Sequence, residues 1–416
     1  MAARLVVLKN GLRAVLAPCE AESVAFGLFI ESGSRHESAA NAGISHFIEH
    51  MLFKGTPTRR PVDITRAIEG RGGNFNACTS EESTCYYAHL PSEYLSDAVE
   101  ILSDMYLNAS IPGDEFVREK QVVVEEIKMY ADEPDAVAAE NLQRALFPKC
   151  ALGAPVAGTP ESLAPMRPET LRRYIRSHYL PGKTVAVVAG SFDESAAIAL
   201  LELYLGRPRG GRGGFSAEPV DFSLPPVPEV HATKDVFQTQ VALGYRTFGI
   251  RDPRKYAATV VDAVLGRGMS SRLFQELRER RGLSYDISSR MQFFSDAGMF
   301  TVSAGLDGAK KDLALKTVDR ELVRICDRKV GAAELRRTKE FLIGNFRLSH
   351  EGVRSKMFFY GSTMLSFGRL VTPSEQVDGI AAVTSADVQA AARAMLRPEN
   401  RSLSVVSREP SADIVV

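Results

Sequence analysis

The sharpest chemical signal in this 416-residue chain is His46-Phe47-Ile48-Glu49-His50. It sits where Ile44, Phe47, Ile48, Met51 and Leu52 recur at helical spacing. On a helix, residues i and i+4 lie one above the other, so His46 and His50 can point two imidazoles at one metal ion. Glu49 lies beside them, placed to handle a proton without being a ligand. Zinc bound in this way needs a third protein ligand and keeps its fourth position for water. Residues 115–130 (EFVREKQVVVEEIKMY) read as a helix with Phe116, Val123, Ile127 and Tyr130 on its apolar side. Glu119 and Glu126 are seven residues apart and share a face, whereas Glu125 points about 100° away. Spacing alone does not choose between Glu125 and Glu126 as the third ligand.

Two further stretches carry polar chemistry. Gly72-Gly73-Asn74-Phe75-Asn76-Ala77-Cys78-Thr79 reads as a glycine turn entering a strand. Gly266-Arg267-Gly268 precedes Arg272, Arg278, Arg280, Arg281 and Tyr285. That glycine pair lacks the spacing of a dinucleotide loop and the Lys-Ser/Thr of a phosphate loop, so nucleotide binding is excluded. Arg278 and Tyr285 can both donate hydrogen bonds to a carbonyl or a developing oxyanion. His36, His89, His178, His231 and His350 read as structural or exposed.

These side chains need elements to position them. Equal numbers of basic and acidic residues, 51 each, give no net charge, and 45% of the residues are hydrophobic. This is the balance of an ordinary globular chain. It excludes a disordered protein and argues against non-specific nucleic-acid binding. No apolar run of about 18 residues is present, so no membrane helix is expected. Five cysteines (Cys19, Cys78, Cys85, Cys150, Cys326) without CxxC spacing argue against a disulfide framework and for a reducing compartment. Residues 206–228, rich in Gly, Pro and Arg, read as a linker between domains at 1–205 and 229–416. Both halves show the same order of signals: an apolar strand (Val24–Ile30; Val241–Tyr245), a polar turn, a helix, more strands, long helices and a closing strand. This predicts two similar α/β domains made by internal duplication.

HxxEH reverses the HExxH order of zinc proteases and is the inverzincin pattern. With a glutamate about 76 residues later it resembles the pitrilysin-like M16 metallopeptidases, in particular the type related to mitochondrial processing peptidase. The match spans essentially the whole chain. The resemblance implies two α/β-roll domains, each a mainly antiparallel sheet packed by helices. It implies one Zn2+ per chain on His46, His50 and Glu126, with Glu49 as general base and Glu119 supporting the site. It places Asn76, Ala77, Cys78 and Thr79 on an exposed edge strand that holds an extended peptide by β-augmentation. Arg278 and Tyr285 match the family's pair that stabilises the tetrahedral species.

Four such domains enclose a chamber in the family, and this chain supplies two. A homodimer is therefore expected, with a heterodimer as the other arrangement, acting on peptides or unfolded segments. Arg278 and Tyr285 of one copy would then face the zinc of the other. Some relatives keep the fold as non-catalytic subunits, which is the competing expectation. Met1 opens onto a hairpin built around Asn10-Gly11, so a cytoplasmic protein is expected, with a mitochondrial-matrix form as the alternative.

Overall fold

A computed structural model describes residues 2–207 and 216–408. The central part of the expected linker, 208–215, lies outside the described residues. The chain forms two compact units. The first contains residues 1–127, 154–218 and 347–372; the second contains 128–153, 219–346 and 373–416. The contiguous halves expected from sequence do not contain this exchange. Residues 128–153 of the first half pack in the second unit, and residues 347–372 of the second half pack in the first.

The first unit is built on strands β1 (Arg4–Val7), β2 (Arg13–Pro18), β3 (Ser23–Ile30), β4 (Asn74–Thr79), β5 (Thr84–Pro91) and β6 (Thr184–Gly190). Their order across the sheet is β1-β2-β6-β3-β5-β4. All neighbours are antiparallel except β2 and β6. The second unit has β7 (Glu229–Thr233), β8 (Thr239–Phe248), β9 (Ser284–Phe293), β10 (Ala297–Leu306) and β11 (Arg401–Ser407), in the order β7-β11-β8-β10-β9. Here only β7 and β11 run parallel. Without β1, the two strand orders are the same: first strand, last strand, second, fourth, third. The repeated element order in the sequence therefore reflects a repeated topology.

Both faces of the first sheet are covered, which explains why β3 and β6 read as nearly unbroken apolar runs. Val24, Phe26, Leu28 and Ile30 face a core that includes Phe47, Ile48 and Met51 of the helix Ile44–Leu52. Ala25 and Phe29 face the other side, against Met357 and Met364 of the helix Val353–Phe367. That helix sits close. A Cβ on Gly361 would lie 2.3–2.4 Å from Phe29 ring carbons, and one on Gly27 would lie 2.8 Å from Met357 Sδ. In the second unit the helix Pro134–Leu146 takes the corresponding place, with Leu142 2.9 Å from a Cβ built on Gly244 of β8. Local sequence cannot say which sheet an apolar helix will cover, so the exchange is invisible to periodicity.

Among the described residues, no helix is long and apolar enough to cross a membrane.

Candidate metal centre

The helix Ile44–Leu52 buries Ile44, Phe47, Ile48, Met51 and Leu52 in the core of the first unit. His46, Glu49 and His50 are left on the opposite side. Its start is tightly defined. Gly43 has φ +90°, and a Cβ there would lie 2.5 Å from the Ala157 carbonyl oxygen. The buried Glu37 carboxylate accepts the amides of Gly43 and Ser45, each at 2.7 Å. A carboxylate at a helix N-terminus satisfies otherwise unpaired N–H groups and the helix dipole. Nothing in the sequence pattern had marked Glu37.

The second contributor is the helix Gly113–Asp132. The Phe116 ring lies 4.9 Å from that of Phe47, which locks the two helices together. Phe116 and Val123 are buried as their spacing predicts, while Tyr130 is exposed. This packing brings Glu126 Oε2 to 3.7 Å from His46 Nε2 and 3.3 Å from His50 Nε2. Ligand atoms of His46, His50 and Glu126 all lie within 4.8 Å of one another. Tetrahedral zinc with bonds of about 2.0–2.1 Å separates its ligands by roughly 3.3–3.5 Å. The donor set and its spacing therefore fit zinc. Of the two carboxylates left open by spacing, Glu126 and not Glu125 lies in this grouping.

Glu119 lies one layer out. Its Oε1 is 2.9 Å from His50 Nδ1 and its Oε2 is 2.6 Å from Lys54 Nζ. It orients the ring while Nε2 faces the donor cluster, as outer carboxylates do for ligating histidines. Lys54 was not anticipated from sequence. Burial would raise Glu119, but the bonds from His50 and Lys54 hold its carboxyl below the usual value. Burial would lower His50, yet the Glu119 hydrogen bond and the charges of Glu126, Glu119 and Glu49 raise it. Burial, with the charge of His50, pushes His46 down to about 4. His46 is thus neutral and able to ligate.

Glu49 is raised by burial against the pull of a bond from Thr79. Thr79 Oγ1 donates to Glu49 Oε2 at 2.5 Å. Thr79 ends β4, one of the two edge strands of the six-stranded sheet. Asn76, Ala77 and Cys78 precede it on that strand. The Asn76 side-chain oxygen accepts the Ala77 amide at 2.8 Å. The structure thus joins the strand expected to hold substrate to Glu49, the expected general base, through one hydroxyl.

Arg278 and Tyr285 lie in the second unit and meet there. The Arg278 guanidinium carbon is 4.5 Å from the Tyr285 ring centre and 4.9 Å from that of Phe274. The neighbouring arginines are engaged elsewhere: Arg272 is bidentate on Glu334, and Arg280 and Arg281 pair with Glu276. Arg278 is on a widened helical turn, Phe274–Glu279, with i→i+5 bonding (Gln275 O to Arg280 N, 3.0 Å). Such widened turns recur at functional sites.

Comparison with known proteins places this arrangement. Residues 14–160 match the family Insulinase (Peptidase family M16), and residues 165–342 match Peptidase M16 inactive domain. The chain belongs to peptidase family M16. Its candidate donors, residues 46–126, all fall within the first M16 match. A Bacillus subtilis protein named as a zinc protease, YmxG, is 35% identical over 400 residues, covering 96% of this chain and 97% of that protein. A Mycobacterium tuberculosis protein, also named as a zinc protease, is 36% identical over 408 residues, covering 95% and 91%. Among solved structures, a protease from Helicobacter pylori aligns with a TM-score of 0.93 at 20% identity, over 98% of this chain and 99% of that one. An M16 inactive domain from Pseudomonas fluorescens aligns with a TM-score of 0.90 at 19% identity, over 99% of both. These likenesses share the two-sheet α/β fold. The M16 relatives' names support a peptidase role and the use of zinc.

Proposed function

We propose that the chain is a zinc-dependent endopeptidase that hydrolyses internal bonds of peptides or unfolded segments. The observation that carries this is the convergence of His46, His50 and Glu126 with Glu49 beside them. His46, His50 and Glu126 would hold one zinc ion per chain, leaving a fourth position open. When bound, zinc supplies Lewis acidity that acidifies water and polarises a carbonyl. Glu49 takes a proton at its carboxylate and returns it to the leaving amine, and its raised affinity for protons suits both steps. Glu119 and Lys54 hold the His50 ring. The open edge of β4 offers main-chain groups to an extended peptide.

Arg278 and Tyr285 would complete the site from a second copy in a homodimer, an arrangement supported by the family resemblance. A heterodimer with another M16 chain is the alternative assembly. The competing reading is a non-catalytic M16 subunit, prompted by the inactive-domain description of residues 165–342.

Glu49→Gln separates the two readings. The variant should keep stoichiometric zinc and lose cleavage of a quenched fluorescent peptide library. A zinc-loaded wild type that cleaves nothing in a broad library would overturn the enzymatic reading. Zinc removal by a chelator should likewise abolish cleavage, and added zinc should restore it.

A further inference from the structure

Cys78 and Cys85 form a thiol pair that the metal centre does not use. Strands β4 and β5 are joined through Glu81-Glu82, where the Ser80 amide donates to the Ser83 carbonyl at 2.8 Å. Pairing in register from that turn sets Thr79 opposite Thr84 and Cys78 opposite Cys85. Directly opposed residues on antiparallel strands have Cα atoms about 4.5–5.5 Å apart, inside the roughly 4.4–6.8 Å that a disulfide spans. Both are free thiols.

The partners are unequal. Cys78 is exposed on the edge strand, whereas Cys85 is 3% exposed and packed with Val15 and Phe29. The Cys85 side chain opposite holds the Cys78 thiol below its ordinary value, while burial pushes Cys85 well above it. An accessible thiol stabilised as thiolate, with a second thiol directly across, is the arrangement of an attacking and a resolving cysteine.

We propose that Cys78 and Cys85 are a thiol–disulfide exchange site for low-molecular-weight disulfides of the glutathione class, closing to an intrachain Cys78–Cys85 bond. The Cys78 thiolate attacks one sulfur of the reagent, forming a mixed disulfide and expelling one thiolate, which takes up the proton Cys78 released. Cys85 then loses its proton and attacks the Cys78 sulfur, expelling the second thiolate. Two electrons pass from the two cysteine sulfurs to the reagent disulfide, which leaves as two thiols. This site stands independently of the peptidase reading. It lies one residue before Thr79, the side chain that holds Glu49.

The test uses the zinc-loaded full chain treated with glutathione disulfide and then cut, without reductant, by a glutamate-specific protease. That protease cleaves after Glu81 and Glu82, between the two cysteines. The expected result is that the fragments carrying Cys78 and Cys85 stay joined and separate on reduction. In Cys85→Ser, Cys78 should accumulate a stable glutathione adduct. In Cys78→Ser, Cys85 should stay free. Wild-type fragments that separate with an adduct on Cys78 would overturn the proposal, as would both thiols remaining free in excess reagent. Modification of Cys85 at the wild-type rate in Cys78→Ser would overturn the assigned order of attack.

Discussion

Thr79 Oγ1 donates a hydrogen bond to Glu49 Oε2, joining the last residue of the edge strand β4 to the candidate general base. A hydrogen bond to a charged group is worth about 1.5–3 kcal/mol, or about 10–100-fold in rate if it is needed in the transition state. Thr79→Val should therefore lower kcat by about that factor with a smaller change in KM, and Thr79→Ser should restore most of it. Equal losses in Val and Ser variants, measured by steady-state peptide cleavage, would show that retaining the hydroxyl does not preserve activity and would overturn its assigned role.

Glu119 acts through the His50 ring. Outer carboxylates of this kind typically contribute about 10–100-fold to metal affinity. Glu119→Gln should weaken zinc binding in that range while leaving one zinc per chain at saturation. Competition against a chromophoric chelator measures it directly. Unchanged affinity would reduce the Glu119–His50 contact to packing.

Glu37 predicts a pH dependence of stability. Burial pushes its carboxyl up to about 7, although the Ser45 and Gly43 bonds pull the other way. The folded chain thus holds this proton more tightly than the unfolded chain, whose value is near 4.5. The stabilisation is full below about pH 4.5 and is lost as pH rises through about 7, a change of roughly 3 kcal/mol. Glu37→Gln removes that titration. Its Tm relative to wild type should climb between pH 5 and pH 8, on top of any constant offset from the altered cap. A Tm difference that is flat across this range would remove Glu37 as the source.

Two glycines should respond in opposite directions. A Cβ on Gly361 meets the Phe29 ring at 2.3–2.4 Å, inside a packed sheet–helix layer. Gly361→Ala should cost about 1–3 kcal/mol. Gly344 lies inside the helix Ala332–Ser349 with open space around its missing Cβ. Gly344→Ala should stabilise by about 1 kcal/mol. Thermal melts of both variants check the contrast, and similar shifts of the same sign would contradict it.

What the sequence determined by itself was local. The i, i+4 placement of His46 and His50 follows from helix geometry, and apolar runs located β3 and β8 to within a few residues. Tertiary structure decided what lies far apart in the chain. The packing of Phe47 on Phe116 brought Glu126 and not Glu125 into the grouping with His46 and His50, and put Glu119 and Lys54 behind His50. Sheet order made β4 an edge and carried the Thr79 hydroxyl to Glu49. It also gave each sheet a covering helix from the other half of the sequence. Periodicity says that a helix has an apolar face, but only the competition among all apolar faces in the folded chain says what that face will cover.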